Sequence, residues 1–230
     1  MIQLENVTKA YWYRGQPKYI ARDLTAVIPA GAKVALMGRN GAGKSTMLSM
    51  IAGNINPDRG RIRVSGAISW PIGLTGCIQG ELTGAQNVRF IARVYGVATD
   101  QLLEFVNEFA ELGMNFYEPV RTYSSGMRGR LNFGMSMGIK FDTYLIDEVH
   151  ATGDATFRHK SKALFESRLA DAGLVMVSHS SSLMRQMCDS GAVLEKGQIT
   201  FYDDIEEALE VHGRNLRGEG VKDIAAELLE

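Results

Sequence analysis

The stretch that decides the fold is Gly38-Arg39-Asn40-Gly41-Ala42-Gly43-Lys44-Ser45, followed by Thr46. It satisfies the pattern G-x-x-x-x-G-K-[ST] and stands between a short apolar run at 33–37 and a helical pattern that reaches Ala52. A glycine-rich loop between a strand and a helix is the context in which this pattern binds phosphate. Glycines let the backbone wrap around an anion, and the helix N-terminus adds partial positive charge.

Two side chains of this loop carry most of the expected chemistry. Lys44 supplies a full positive charge to the β- and γ-phosphates of a nucleotide, and the Ser45 hydroxyl ligates Mg²⁺. The sequence therefore predicts a site for ATP and Mg²⁺. The expected nucleotide-binding residues are Gly38, Arg39, Asn40, Gly41, Ala42, Gly43, Lys44, Ser45 and Thr46.

An acidic pair ends an apolar strand further along the chain. Asp147 and Glu148 directly follow the apolar residues 144–146. In a parallel sheet this places both carboxylates at the carboxyl edge, beside the phosphate-binding loop. We expect Asp147 to hold Mg²⁺ and Glu148 to act as the general base on the attacking water. An Asp-Glu pair alone is common at strand ends, so this interpretation depends on the strand and on the loop.

Strand and helix patterns alternate along the chain. Strands are predicted at Ile2–Val7, Leu24–Ile28, Lys33–Met37, Arg61–Val64, Thr143–Ile146, Leu174–Val177, Ala192–Leu194 and Gln198–Tyr202. Helical periodicity fills the interval from about residue 82 to about residue 136 and returns after residue 156 and after residue 180. Strands separated by helices predict an α/β fold with a mainly parallel sheet. We expect one domain over 1–230, with an inserted helical lobe at 82–136 and a short helical tail at 203–230.

A third motif stands before a helical run at 128–138. Its residues are Ser124, Ser125, Gly126 and Met127. Small hydroxyl residues and glycine at a helix N-terminus form an anion site. One nucleotide needs two phosphate sites only when they come from different subunits. The motif therefore predicts that a second chain contributes to the ATP site.

In this order, the three motifs resemble those of ATP-binding cassette (ABC) ATPases. The segment 123–127 is similar to the family signature LSGGQ, from which Tyr123, Ser125 and Met127 depart. The resemblance implies a P-loop NTPase cassette with an antiparallel β subdomain at the N-terminus. It also implies that a homodimer closes around two ATP molecules and reopens after hydrolysis.

The same resemblance implies roles for three further side chains. His179 matches the switch histidine at the γ-phosphate, which makes it a catalytic residue beside Glu148. Asp154 matches the aspartate that crosses the dimer interface. Tyr11 matches the aromatic residue that stacks on adenine, with Trp12 and Tyr13 as alternatives.

The segment that leads into the helical lobe departs most from ordinary ABC subunits. Those subunits place a glutamine that binds the metal directly after the strand, and here the candidate is Gln79, in a variant loop at 69–84. This loop, with 123–128 and 144–149, strongly resembles the ATP-binding subunits of capsular-polysaccharide exporters over about residues 1–210. The related exporters of O-antigen and teichoic acid share some of these features and remain alternatives.

That resemblance implies a peripheral protein on the cytoplasmic face of the bacterial inner membrane, with an integral-membrane permease as its partner. The permease would handle most of the polysaccharide or glycolipid substrate, and periplasmic and outer-membrane components would complete the path. Which glycan is carried, and whether it bears a lipid, stays open.

Composition excludes several other classes of protein. A formal net charge of −1 provides no general attraction to nucleic acid or to anionic lipid. The N-terminus lacks the pattern of a signal peptide, and no run of about 18 apolar residues predicts a membrane span. The two cysteines, Cys77 and Cys188, have neither metal-site nor disulfide-framework spacing.

Two soluble classes compete with a transporter subunit. An ABC ATPase acting on DNA or ribosomes would usually carry a long coiled-coil insertion or two cassettes. A P-loop kinase would share 38–45 but would not need the motif at 124–127. A neighbouring gene for a six-helix permease would separate transport from both.

Overall fold

The structure, a computed structural model, describes residues 1–72, 78–148 and 155–218. Nine β-strands occur in this part of the chain: β1 Ile2–Tyr13, β2 Gln16–Ile28, β3 Lys33–Met37, β4 Arg59–Val64, β5 Ile68–Ile72, β6 Thr143–Asp147, β7 Gly173–Val177, β8 Ser190–Glu195 and β9 Gln198–Tyr202. Its seven α-helices are α1 Lys44–Ile51, α2 Gly84–Val94, α3 Thr99–Ala110, α4 Ser125–Gly138, α5 Ala155–Leu169, α6 Ser181–Met187 and α7 Ile205–Arg217.

An antiparallel sheet of order β2-β1-β4 contains the N-terminus. Its first hairpin is longer than the sequence indicates, because β1 continues from the predicted 2–7 to Tyr13. Arg14 and Gly15 form the turn, with φ of 49° and 77°. Positive φ at both central residues is the geometry of a two-residue type I′ turn. The hairpin therefore carries the aromatic residues 11–13 on its tip.

The second sheet has six strands in the order β5-β6-β7-β3-β8-β9. The pairs β6/β7, β7/β3 and β3/β8 are parallel, and β9 is antiparallel to β8. The predicted α/β fold with a mainly parallel sheet is thus confirmed. Since β3, β6 and β7 run in the same direction, the segments after Met37, Asp147 and Val177 lie at one edge of the sheet.

The chain divides into two compact units. The first contains Met1–Pro71, Asp142–Glu148 and the described residues from Gly173 onward. Its core forms where both sheets and α1 meet, around Leu36, Leu48 and Leu145, each at most 3% exposed. These three side chains come from β3, α1 and β6, so the phosphate-binding loop between β3 and α1 is anchored at both ends.

The second unit contains the helices α2 to α5. The side chain of Phe109 on α3 is at its centre, with ring centroids 5.8 Å from Phe105, 5.8 Å from Phe133 and 5.3 Å from Phe157. These aromatic contacts join α3 to α4 and α5. Helix α2 begins with a capping box, in which Thr83 and Gln86 satisfy each other's backbone N–H groups.

Helix α7 lies in the first unit and packs on β8 and β9. Ala208 and Ile205 are its buried residues, and Gly218 ends it in the left-handed conformation at φ 79°. Cys188 is a buried free thiol, and burial raises its pKa to about 12. Within residues 1–72, 78–148 and 155–218, no helix has the length and apolar character needed to cross a membrane.

Candidate nucleotide-binding site

The loop between β3 and α1 is shaped by close backbone contacts at its glycines. A Cβ on Gly38 would lie 2.5 Å from the carbonyl oxygen of Leu194. Gly43 has a φ of 106°, and a Cβ there would collide with the side chain of Ile20. Larger residues at these two positions would displace the loop. The motif glycines therefore permit the chain to turn tightly into α1, which leaves the first N–H groups of that helix available for an anion.

Lys44 is held at the mouth of this loop. Its ammonium group donates to the carbonyl oxygen of Gly38 at 2.8 Å and to that of Arg39 at 3.3 Å. Burial lowers the pKa of Lys44, while the negative charges of Asp147 and Glu148 act in the opposite direction. Burial thus makes the ammonium costly to hold without a closer counter-charge, which a bound phosphate would supply.

Asp147 ends β6 with a buried carboxylate. The residue is 6% exposed, and its Oδ2 atom is buried with no hydrogen-bond partner. A buried carboxylate oxygen without a partner is costly unless a cation or donor reaches it. Ser45, the second residue of α1, is exposed, so its hydroxyl is accessible. This donor set of carboxylate and hydroxyl oxygens suits Mg²⁺.

Glu148 follows β6, and His179 comes shortly after the adjacent strand β7. The side chains of these two residues are in contact. Oε1 of Glu148 lies 2.7 Å from Nε2 of His179. Glu148 has a positive φ of 54°, and its N–H donates to the carbonyl oxygen of Val177 at 3.0 Å. Non-glycine residues adopt this backbone conformation rarely, at a cost of order 1–3 kcal/mol. The structure therefore brings together two side chains that the sequence predicts to be catalytic.

A cavity of about 410 Å³ opens beside the loop. Its walls are Met37, Gly38, Arg39, Asn40, Lys44, Ser178, His179, His212 and Leu216. All of these residues belong to the first unit. The two from α7, His212 and Leu216, are absent from the sequence-based predictions. A lone histidine in an amphipathic terminal helix has no signal in the sequence that points to a cavity.

The hairpin tip brings aromatic and basic side chains towards the same loop. Tyr11 pairs directly across the strands with Lys18, so these two side chains share one face of the hairpin. A Cβ on Gly41 would lie 3.3 Å from Nζ of Lys18. Trp12 is 77% exposed and projects from the opposite face, because neighbouring side chains alternate along a strand. Lys18, like His212 and Leu216, was not identified by the sequence analysis.

The signature-like segment begins α4 in the second unit. The Ser124 hydroxyl caps the helix by accepting from the N–H of Met127 at 3.2 Å. Tyr123 is 3% exposed and donates its hydroxyl to the carbonyl oxygen of Asn115 at 2.5 Å. This departure from the family leucine is therefore a core position. A cavity of about 270 Å³ adjoins Ser124, Gly126 and Met127.

Gln79 belongs to the second unit, and Asp154 lies outside the described residues. Gln79 has an exposed side chain in the turn before α2. Its backbone is held by the fully buried Asn87, which accepts from the Gln79 N–H at 2.8 Å and donates to its carbonyl oxygen at 3.0 Å. The predicted role of Gln79 in binding metal stays a prediction.

The chain is similar to ATP-binding proteins of known transport systems. The ABC transporter family profile matches residues 21–151. The chain is 47% identical to the polysialic acid transport ATP-binding protein KpsT of Escherichia coli, covering 91% of this chain and 95% of that protein. It is 46% identical to the capsule polysaccharide export ATP-binding protein CtrD of Neisseria meningitidis serogroup B, with 92% and 98% covered.

More distant matches include proteins that export O-antigen or teichoic acids, at 31% to 36% identity. Among solved structures, the ATP-binding subunit of an ABC transporter superposes with a TM-score of 0.74. Its sequence identity is 23%, with 100% of both chains covered. At that identity the likeness concerns the fold.

Proposed function

Because the chain belongs to the ABC transporter family, we propose that it is the subunit that binds and hydrolyses ATP to drive export of capsular polysaccharide across the bacterial inner membrane. One observation carries the proposal. Lys44, Asp147, Glu148 and His179 lie at one edge of a parallel sheet around a glycine-rich phosphate loop. This is the set of groups that phosphoryl transfer to water requires.

The loop binds the phosphates of ATP through backbone N–H groups at the start of α1 and through Lys44. Charge-assisted hydrogen bonds of this kind are roughly twice as strong as neutral ones. Lys44 is already directed at the loop by the carbonyl groups of Gly38 and Arg39. Little rearrangement of that side chain is needed when the triphosphate enters.

Ser45 and Asp147 would hold Mg²⁺, with Gln79 as the third expected ligand. The unpaired, buried Oδ2 of Asp147 supports this assignment, since a divalent cation would satisfy it. When bound, Mg²⁺ neutralises charge on the β- and γ-phosphate oxygens. The chain contributes the oxygen ligands for the metal, next to Lys44.

Glu148 is the general base. Its carboxylate accepts a proton from the water that attacks the γ-phosphorus, while the bond from phosphorus to the β–γ bridging oxygen breaks and ADP leaves. His179 holds Glu148 at 2.7 Å through Nε2 and thereby orients the carboxylate. The same imidazole lies in the wall of the cavity beside Lys44, which supports its role as the switch histidine.

Tyr11 is the residue that stacks on adenine. It shares a hairpin face with Lys18, whose ammonium group lies over the phosphate loop at Gly41. This relation favours Tyr11 over Trp12, which projects from the other face. Tyr13 has the same parity as Tyr11 but lies further along the tip, where it pairs with Gln16 and not with Lys18.

Two copies of the chain enclose two ATP molecules. Each nucleotide is bound by 38–46 of one copy and by Ser124, Ser125, Gly126 and Met127 of the other, with Asp154 at the shared interface. The capped start of α4 supports this, because it presents small residues and a helix N-terminus to an adjoining cavity. ATP closes the pair and hydrolysis reopens it, which moves the permease.

The carried substrate is proposed from the relatives. Their names specify polysialic acid and capsule polysaccharide, at 46% to 47% identity. The O-antigen and teichoic-acid exporters match less closely. The expected setting is the cytoplasmic face of the inner membrane, with a permease that handles the glycan and with periplasmic and outer-membrane export components.

Deletion of the gene in its own host tests the proposal. We expect surface capsule to disappear and polymer to accumulate in the cytoplasm, with recovery by the wild-type gene but not by Glu148→Gln. Affinity purification from detergent-solubilised membranes should recover an integral-membrane partner. Normal surface polysaccharide in the deletion strain would overturn the transport assignment.

A further inference from the structure

The cavity beside the phosphate loop has one wall from outside the nucleotide-binding motifs. Helix α7 contributes His212 and Leu216 to it, next to Lys44 and His179. The Nδ1 atom of His212 is buried without a hydrogen-bond partner. A buried nitrogen without a hydrogen-bond partner is less favourable than one whose hydrogen bond is made. A titratable group with an unmet hydrogen bond therefore adjoins the place expected for nucleotide phosphates.

Helix α7 holds His212 in place through contacts along its length. Asn215 donates its side-chain amide to Oε2 of Glu195 at 3.0 Å, and Arg185 of α6 pairs with Glu206 at 2.7 Å. Ala208 is fully buried, and a Cβ on Gly191 of β8 would collide with it. The helix is thus packed closely on β8, and the imidazole can respond to charge in the cavity without moving far.

The charges that face His212 come from several elements. Burial lowers its pKa, and the positive charge of Lys44 on α1 lowers it further, while Glu195 at the end of β8 raises it. Arg39 and His179 are the other titratable groups in the cavity wall, and Arg185 of α6 is paired with Glu206 nearly two turns away. His212 is therefore neutral at pH 7 when no anion is present.

We propose that His212 is a phosphate-responsive residue, whose imidazole takes up one proton from solvent when a nucleotide phosphate enters the cavity. The inference rests on the proposed nucleotide site. A phosphate group beside Lys44 offsets the charge that disfavours imidazolium and adds negative charge of its own. The N–H group of the protonated ring can then donate to a phosphate oxygen, which adds a charge-assisted bond.

Nucleotide affinity and protonation of His212 are thermodynamically linked. If nucleotide raises the pKa of His212, protonation of His212 must strengthen nucleotide binding by the same factor. The affinity therefore rises as the pH falls through the pKa of the bound state. A rise of about one pKa unit corresponds to about tenfold tighter binding well below both pKa values than well above them, and to a smaller gain between pH 8 and pH 6.

The direct test is a ¹³C-edited NMR titration of the histidine rings in the wild-type chain. It is recorded without ligand and with saturating AMP-PNP, an ATP analogue that is not hydrolysed. Loss of a resonance in His212→Gln, and independently in His212→Asn, assigns the signal. We expect the His212 pKa to rise by about one unit or more on binding. An unchanged or lower value would overturn the proposal.

Affinity against pH provides the second measurement. Calorimetry with AMP-PNP from pH 6 to pH 8 should show a steeper increase in wild-type affinity than in His212→Gln, by up to about tenfold. His159→Gln, which removes an exposed histidine on α5, is the matched control and should keep the wild-type slope. Equal slopes in wild type and His212→Gln contradict the inference, whereas absence of AMP-PNP binding at any pH contradicts the nucleotide site itself.

Discussion

The N-termini of α1 and α4 have similar residues, but they differ in their capping groups and in the charged side chains nearby. Glycine and serine occur at both, and the first N–H groups of an α-helix have no partner within the helix. At α1 the cap is Gly43 in the left-handed conformation, and Lys44 follows with its charge held by loop carbonyl groups. At α4 the cap is the Ser124 hydroxyl, which already accepts from Met127.

The nearby charges differ as well. At α1, the negative charges of Asp147 and Glu148 act on Lys44, and the two residues are the proposed metal ligand and the proposed base. The cationic wall of the cavity at α4 is Arg130, which lies 3.5 Å from Glu111, a carboxylate that Lys160 also contacts at 2.9 Å. The first site carries the groups proposed to bind and cleave a triphosphate. The second supplies weak, directional attraction, which suits a phosphate that another chain already holds.

The largest expected effect concerns the base. Glu148→Gln should keep nucleotide affinity and lower ATP turnover by about 10²–10⁴-fold, because the amide cannot accept the proton of water. Phosphate release and calorimetry measure the two quantities. Glu104→Gln, which changes an exposed glutamate on α3 of the second unit, is the control and should hydrolyse ATP normally. Wild-type turnover in Glu148→Gln would remove this residue from the role of base.

The second largest expected effect is the loss of ATP affinity when the positive charge of Lys44 is removed. Lys44→Ala should weaken ATP binding by about 10- to 100-fold, since a hydrogen bond to a charged group contributes about 1.5–3 kcal/mol. Calorimetry on the single chain measures it. Lys140→Ala, which removes an exposed lysine of the second unit, should bind like wild type. Unchanged affinity in Lys44→Ala would contradict the assignment of the loop.

A substitution at the start of α4 should lower ATP turnover without weakening ATP binding to the single chain. Ser124→Ala should lower turnover by about tenfold and stability by about 1 kcal/mol, while ATP affinity of the single chain stays the same. Thr83→Ala removes the cap of α2 and is the matched control. It should cost similar stability with turnover retained. If the two variants lose turnover equally, the effect of Ser124 is structural and the trans role of α4 fails.

The smallest expected effect is at the hairpin tip. Tyr11→Ala should weaken ATP binding by about 3- to 10-fold, because an aromatic stacking contact contributes about 0.5–1.5 kcal/mol. Trp12→Ala should leave the affinity of ATP unchanged, since that ring projects from the other face. Titration with GTP should show less discrimination between bases in Tyr11→Ala. A larger loss in Trp12→Ala than in Tyr11→Ala would reverse the assignment.

Local sequence patterns sufficed for the elements that position the phosphate loop. The predicted strand Lys33–Met37 is confirmed, and the predicted strand before Glu148 extends by one residue to Asp147. Both are short, mainly apolar runs next to a glycine-rich loop or an acidic pair, and these signals need no distant partner. The extension of β1 to Tyr13 was not predicted, because Ala10–Tyr13 become strand only through pairing with β2.

The sequence by itself determined the α/β fold, the phosphate loop and the acidic and histidine residues at the sheet edge, because each depends on residues adjacent in the chain. Only the tertiary structure decided that His179 contacts Glu148, that Lys18 reaches Gly41 and that His212 lines the phosphate cavity. These contacts join segments far apart in sequence. Their distances follow from how strands and helices pack, which residue type and spacing do not encode locally.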